Sequence, residues 1–179
     1  MKNDDGTWTE YAKRLVWSKA PLLDPRNPDG FRLDPCRALM SWEKYGNRDS
    51  DLGWEIDHIV PEQTLKDKNV PQELIDNIDN LRPMHWRNNS GKSDDFPNYS
   101  ASTTHAGSNN HDHIHRDYRI ARDQINVLRQ LFDGYDININ HPTVLGQWQV
   151  ASDNTITPAS KVASSFFDDI VTPSIHDLD

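Results

Sequence analysis

Hydrophobic positions recur along this chain with two different periods, and each period predicts a different kind of element. Trp8, Tyr11, Ala12, Leu15 and Val16 follow the i, i+3, i+4, i+7, i+8 spacing of one buried helical stripe, predicting a helix over 7–19. Thr7 with Glu10 three residues later fits a capping box, and Pro21 stops the helix. Residues 21–35 are rich in Pro and Asp and read as a connecting loop. A strand is expected over 36–42, then a turn at Tyr45-Gly46-Asn47. Trp54, Ile56 and Val60 favour a second strand over 53–61, and a short helix fits 71–78. Leu81–His85 reads as a third strand, with a helix starting at Trp86. The Ser, Thr, Asn, Gly and His residues of 93–113 read as a loop by composition. Ile114, Tyr118, Ala121, Ile125, Leu128 and Phe132 then form a helical seam over 114–132. Last come Ile137, Ile139, Val144, Gly146, Trp148 and Val150, a hairpin turning at His141-Pro142. No internal repeat is visible.

Composition narrows the class. The chain has 179 residues, enough for one domain, or one domain with an extension. Its single cysteine, Cys36, excludes an intramolecular disulfide and a four-Cys zinc ribbon, and reads as a small buried residue. No apolar run is long enough to span a membrane, and the first residues lack a signal-peptide core, so a cytoplasmic protein is expected. The net charge of −9 argues, taken alone, against a polyanionic partner. The charge is uneven: residues 51–100 hold ten acidic and five basic side chains.

That acidic segment holds the residues with chemistry. Asp57 and His58 stand side by side at the end of an apolar strand, an odd place for a charge and an imidazole. A His can take a proton from water near neutral pH, and a carboxylate beside it can hold a hard cation through oxygen. Asn offers a neutral oxygen ligand or an orienting hydrogen bond. Together these are parts for metal-assisted attack of water on a phosphoester. Strict alternation would place Asp57 and His58 on opposite faces of a strand, so the backbone must leave strand geometry there or the pair must sit at its end. Glu55 shares the parity of Asp57, as a further ligand or a supporting group.

The segments Trp54-Glu55-Ile56-Asp57-His58-Ile59-Val60-Pro61 and Asn80-Leu81-Arg82-Pro83-Met84-His85-Trp86-Arg87-Asn88-Asn89-Ser90-Gly91-Lys92 resemble the HNH endonucleases, whose fold is the ββα-metal or His-Me finger. In that family an Asp-His pair ends the first strand, an Asn opens the second, and a His or Asn on the next helix precedes a Lys by three. Asp57-His58, Asn80, Asn89 and Lys92 match those positions, in the H-N-N variant. The run Asn89-Ser90-Gly91-Lys92-Ser93-Asp94 is similar to the same helix in the HNH domain of RNA-guided CRISPR effector nucleases. The resemblance is tight over about 53–95. It is weaker in Trp17-Ser18-Lys19-Ala20, Arg32-Leu33-Asp34 and Tyr45-Gly46, and absent after about residue 100. It implies that His58 deprotonates the attacking water and that Asn80 fixes the imidazole. It implies that Asp57 and Asn89 hold one Mg²⁺ or Mn²⁺, that no structural zinc is needed, and that products carry 5′-phosphate and 3′-hydroxyl ends. Arg82, Arg87 and Lys92 are the nearest basic residues for phosphate contact. His85, four residues before Asn89, is expected to support the site or pack.

The expectation is therefore an α+β protein with an HNH core and helical lead-in over 1–100. A helix-plus-hairpin extension over 101–179 would pack on the same domain. The expected activity is metal-dependent hydrolysis of DNA phosphodiesters, RNA being open. Two rivals stand beside it: a nuclease subunit of a larger phage-packaging or anti-phage assembly whose partner supplies DNA grip, and a non-catalytic nucleic-acid-binding module. His105, His111, Asp112, His113 and His115 form a cluster that reads as a second metal site or, more simply, as a solvated helix start with Asp112 near its N-terminus. Arg116, Arg119, Arg122 and Arg129 read as a salt-bridged helix face with Asp117 and Asp123.

Overall fold

The structure is a computed structural model that describes residues 1–27, 29–106, 109–139 and 149–150. It is a mixed α+β arrangement of small sheets and short helices. In order these are α1 (Glu10–Ser18), β1 (Phe31–Leu33), β2 (Leu39–Ser41), β3 (Trp54–His58), α2 (Glu62–Lys66) and α3 (Gln72–Ile75). They are followed by β4 (Leu81–His85), α4 (Trp86–Lys92), β5 (Asn98–Ala106), β6 (Asn109–Arg119), α5 (Arg122–Leu131) and β7 (Gln149–Val150). β1 pairs with β2 and β3 with β4, both antiparallel; β6 lies between antiparallel β5 and parallel β7.

Helix α1 begins later than the capping-box pattern suggests. Thr9, not Thr7, is the N-cap, its hydroxyl accepting from the Ala12 amide, while Thr7 bonds the Asp5 carboxylate in the preceding turn. The buried side of α1 is Ala12, Val16 and Trp17, with Tyr11 exposed, so the stripe is rotated from the expected one. It packs on a cluster built around Trp54, whose ring centroid lies 4.7 Å from that of Trp17 and 4.9 Å from that of Tyr45. That cluster anchors the first residue of β3.

The hairpin of β3 and β4 is the centre of the molecule. Its register runs unbroken from Trp54 opposite His85 to His58 opposite Leu81. One face carries Trp54, Ile56, His58 and Leu81, the apolar ones among them joining the tryptophan cluster. The other carries Glu55, Asp57, Arg82 and Met84 and meets α4, which follows β4 without a break. Gly91 lets α4 approach β5: a Cβ there would sit 2.9 Å from the Ser100 carbonyl oxygen. The second and larger core joins Ile59, Val60, Leu65 and Met84 to Tyr99, Tyr118, Ile125, Leu128 and Phe132, so residues on both sides of position 100 share one interior.

Three expectations need correction. The 21–35 loop contains β1. The 93–113 segment is not a loop but most of a long hairpin, β5 and β6, in which Tyr99, Ala101 and Thr103 alternate inward. The 114–132 helix begins only at Arg122, because 114–119 completes β6. Ile125, Leu128 and Phe132 of the predicted seam are buried as expected; Tyr118 is buried from a strand. Most of the hairpin expected beyond Ile139 lies outside the described residues.

Candidate active site

His58 ends β3, and the chain turns immediately at Ile59 and Val60. Asn80, just before β4, holds that turn. Its Oδ1 accepts from the Val60 amide at 2.9 Å, its Nδ2 donates to the carbonyls of Ile75 and Val60, and its own carbonyl accepts from the Ile59 amide. Every polar group of this fully buried amide is thus used on backbone. Asn80 fixes where the backbone next to His58 lies but does not touch the imidazole, contrary to expectation.

The partner of the imidazole is Asp76, which the sequence did not single out. His58 Nε2 lies 2.9 Å from Asp76 Oδ1, and the Trp8 ring packs against His58 at 5.8 Å between centroids. Asp76 also accepts from Lys2 Nζ at 3.0 Å and Gln72 Nε2 at 2.9 Å. Burial alone would push the Asp76 carboxyl up, but the hydrogen bonds from Gln72, His58 and Lys2 outweigh it and hold the group below the usual carboxylate range. The His58 side chain retains 14% of its exposure.

Asp57 points the other way, as alternation requires. It is 4% exposed and sits between two cations that are themselves inside the protein: Arg82 (0%) and Lys92 (1%). Arg82 Nε donates to Asp57 Oδ2 at 2.8 Å, and Lys92 Nζ lies 3.1 Å from Oδ1 and donates to the His58 carbonyl at 3.0 Å. Burial pulls the Lys92 ammonium below its ordinary value, against the attraction of Asp57. Arg82 and Lys92 were expected to meet phosphates. Their burial prevents it, and they hold the fold together instead. Arg87 is the partly exposed one of the three, paired with Asp51 and Asp112.

Asn89, on α4, donates from Nδ2 to Glu55 Oε2 at 2.9 Å, and its Oδ1 has no hydrogen-bond partner among the described residues. Burial would raise the Glu55 carboxyl, yet hydrogen bonds from Arg48 and Asn89 hold it low. Glu55 and Asp57 on β3 and Asn89 on α4 thus share the space between strand and helix, and all three offer oxygen, the donor type that Mg²⁺ and Mn²⁺ prefer. No group of three or more His, Cys, Asp or Glu is gathered for a metal among the described residues. The set fits a hard divalent ion in chemical kind, but its carboxylates already make three ion pairs, with Arg48, Arg82 and Lys92. The Arg48 partner of Glu55 is 60% exposed and gives way cheaply; the Lys92 partner of Asp57 is buried and does not.

His85 is buried and caps α4. Its Nδ1 accepts from the Arg87 amide at 3.2 Å and its Nε2 donates to the Asp51 carbonyl at 3.1 Å, so both nitrogens are used. The neighbouring Asn88, absent from the expected site, ties α4 to β5 and to Asp34. Asp34 is fully buried and accepts from Ala38, His85 and Asn88; burial pushes its carboxyl up to about 6. The His-Asp cluster falls on strands β5 and β6, not at a helix start. Asp112 there accepts from Thr103 and Arg87, and His111 bonds the Ala106 carbonyl.

No protein-family model, curated protein or solved structure matches the chain. Among the described residues no helix is long and apolar enough to cross a membrane.

Proposed function

We propose that the chain is an endonuclease of the HNH type that hydrolyses phosphodiester bonds in DNA and depends on Mg²⁺ or Mn²⁺. One observation carries the reading. An antiparallel hairpin runs directly into a helix, His58 ends the first strand, and Asn89 faces that strand's carboxylates from the helix. Carboxylates and amide thus lie on the α4 side of one short strand, and the imidazole at its end on the other side.

In this reading His58 takes the proton from the attacking water, a role that typically contributes ~100- to 10,000-fold. Glu55 and Asn89 would hold the divalent ion, the expected ligand Asp57 being already paired with buried Arg82 and Lys92. When bound, the ion supplies charge stabilisation at the phosphate and at the leaving oxygen. Because His58 and Asp57 lie on opposite faces, the substrate backbone would have to pass over the end of β3, where Asn80 keeps the chain in place. Arg82 and Lys92 steady Asp57 rather than the substrate.

A second reading is favoured by the burial of those two cations. With Arg82 and Lys92 enclosed, Arg87 paired to two aspartates and a net charge of −9, the basic residues nearest the site offer little with which to grip DNA. A basic partner protein, as in a phage-packaging or anti-phage assembly, would supply that grip. Tight binding of the isolated chain to DNA at physiological salt would count against it.

The nuclease reading is tested by incubating supercoiled plasmid with the purified protein and Mg²⁺ or Mn²⁺, beside His58→Ala. The wild-type chain is expected to nick or linearise the plasmid and the variant to leave it intact. Equal activity of the two would remove the reading.

A further inference from the structure

Asp76 stands 18 residues from His58 in sequence, at the end of the four-residue helix α3. Of its hydrogen-bond donors only Gln72 is local. Asp76 is 7% exposed, and the C-terminal end of a helix disfavours negative charge. What sustains it is a convergence of three donors from three parts of the chain. Lys2 comes from the N-terminal turn, Gln72 from α3 itself and His58 from β3.

The direction of the His58 bond follows from this set. Lys2 and Gln72 can only donate to the carboxylate at these positions, and an ionised carboxylate can only accept. The proton between His58 and Asp76 therefore belongs to Nε2. In the neutral ring that leaves the lone pair on Nδ1, the nitrogen that can receive a proton from water. Trp8 packed against the ring restricts its rotation, and Lys2 Nζ also lies against the Trp8 ring, 4.5 Å from its centroid. Asn80, the residue expected to orient the imidazole, is fully used on the backbone of Val60, Ile75 and Ile59.

We infer that Asp76 is the positioning residue of His58, fixing its tautomer and ring orientation so that Nδ1 is the basic nitrogen, with Lys2 and Gln72 holding the carboxylate in place. This rests on the endonuclease reading for its catalytic meaning. The rival account is a plain tie that anchors the 62–80 excursion to β3, which would affect stability and nothing else.

Two measurements on the full chain separate them. The first is the ¹⁵N NMR spectrum of the His58 ring, without metal or DNA, at a pH where the ring is neutral. Wild type is expected to carry its proton on Nε2, with an exchange-protected N–H signal that Asp76→Ala loses. The second is cleavage of a DNA duplex in Mg²⁺ or Mn²⁺ by wild type, Asp76→Ala and Asp76→Glu. Asp76→Ala is expected to lower kcat by about ten- to a hundredfold with KM changed by less than about twofold, as for groups that orient a catalytic His. Asp76→Glu, which restores a carboxylate, is expected to recover part of that loss.

A proton on Nδ1 in the wild-type ring overturns the inference, even if the variants fail to fold. So does wild-type kcat in folded Asp76→Ala, or a loss that appears wholly in KM. If the wild-type chain does not cleave DNA at all, the endonuclease reading falls. The catalytic role of Asp76 falls with it, whatever the spectrum shows. If wild type cleaves and Asp76→Ala cleaves equally, the endonuclease reading stands and only the role of Asp76 fails.

Discussion

Asp57 and His58 are neighbours in the chain, yet the two faces of the β3–β4 hairpin place them in opposite circumstances. On the α4 face, Asp57 is enclosed with Arg82 and Lys92, and moving any one of the three strands a charge in the interior. On the other face, His58 keeps some exposure and is held through one nitrogen by a carboxylate whose remaining bonds go to Lys2 and Gln72. The first arrangement resists change, and the second holds the imidazole through a single nitrogen at a partly exposed position. One covalent step along a strand thus separates an enclosed charge from a partly exposed imidazole, and unbroken strand geometry is sufficient to do it. The comparison also separates what mutation should do: breaking the enclosed Asp57–Arg82–Lys92 set should act on stability first, and removing His58 on chemistry.

The largest effect is expected from Asp57→Ala. It leaves Arg82 and Lys92 buried without their shared anion, and should cost about 3–5 kcal/mol in denaturant unfolding. A loss below about 1 kcal/mol would mean that the two cations are not enclosed as described. His58→Ala should show the reverse: cleavage reduced ~100-fold or more, with unfolding free energy changed by only about 1 kcal/mol, since Asp76 keeps Lys2 and Gln72. Comparable stability losses for the two variants would erase the distinction between the faces.

Gly91→Ala comes next. The added methyl meets the Ser100 carbonyl oxygen, a backbone atom with no rotamer to relieve it, and about 1–3 kcal/mol of destabilisation is expected from thermal or denaturant melts. Asp34 gives a pH signature behind the α4 face. Its carboxyl should titrate near pH 6 by ¹³C NMR, because burial raises it from an ordinary 3.8. Since the folded value is the higher one, the folded state binds the extra proton between about pH 4 and 6. This group's contribution to stability therefore falls as pH rises through that window, the opposite of an ordinary paired carboxylate. The smallest effect belongs to Arg48→Gln, expected to change stability by less than about 0.5 kcal/mol while increasing the shift in Tm that Mn²⁺ produces, because Glu55 is freed. No change in the Mn²⁺ response would place the ion elsewhere.

Much of the hairpin and helix was legible because pattern and chemistry agreed there. Trp54, Ile56 and Val60 signalled a strand, and Leu81–His85 and the helical start at Trp86 coincide with β4 and α4. The β5–β6 hairpin was not legible, since its inward positions include Ala101 and Thr103, and Ser, Thr, Asn and His fill the rest. The alternation of Tyr99, Ala101 and Thr103 was the one available signal. The seam read over 114–132 failed in its first half because β6 supplies Tyr118 to the same core at a spacing that a helix also allows. Within the candidate site, the resemblance to the HNH family brought Asp57, His58, Asn80 and Asn89 forward but could not say which partner each would take. Asp76 was hidden for that reason. Its link to His58 depends on how the 59–80 excursion folds back, and on Lys2 and Trp8 reaching the same place from the N-terminal end. Burial of Arg82 and Lys92 was equally hidden, because a basic residue in a sequence carries no mark of which face it takes.

The measurement that bears most directly on the two-faced hairpin is a paired one: plasmid cleavage in Mg²⁺ or Mn²⁺ and unfolding free energy, both on wild type and His58→Ala from matched preparations. The account predicts a folded variant of nearly wild-type stability that has lost cleavage. A folded variant that cleaves as fast as wild type, or a wild-type chain that leaves DNA intact with either ion, would contradict it.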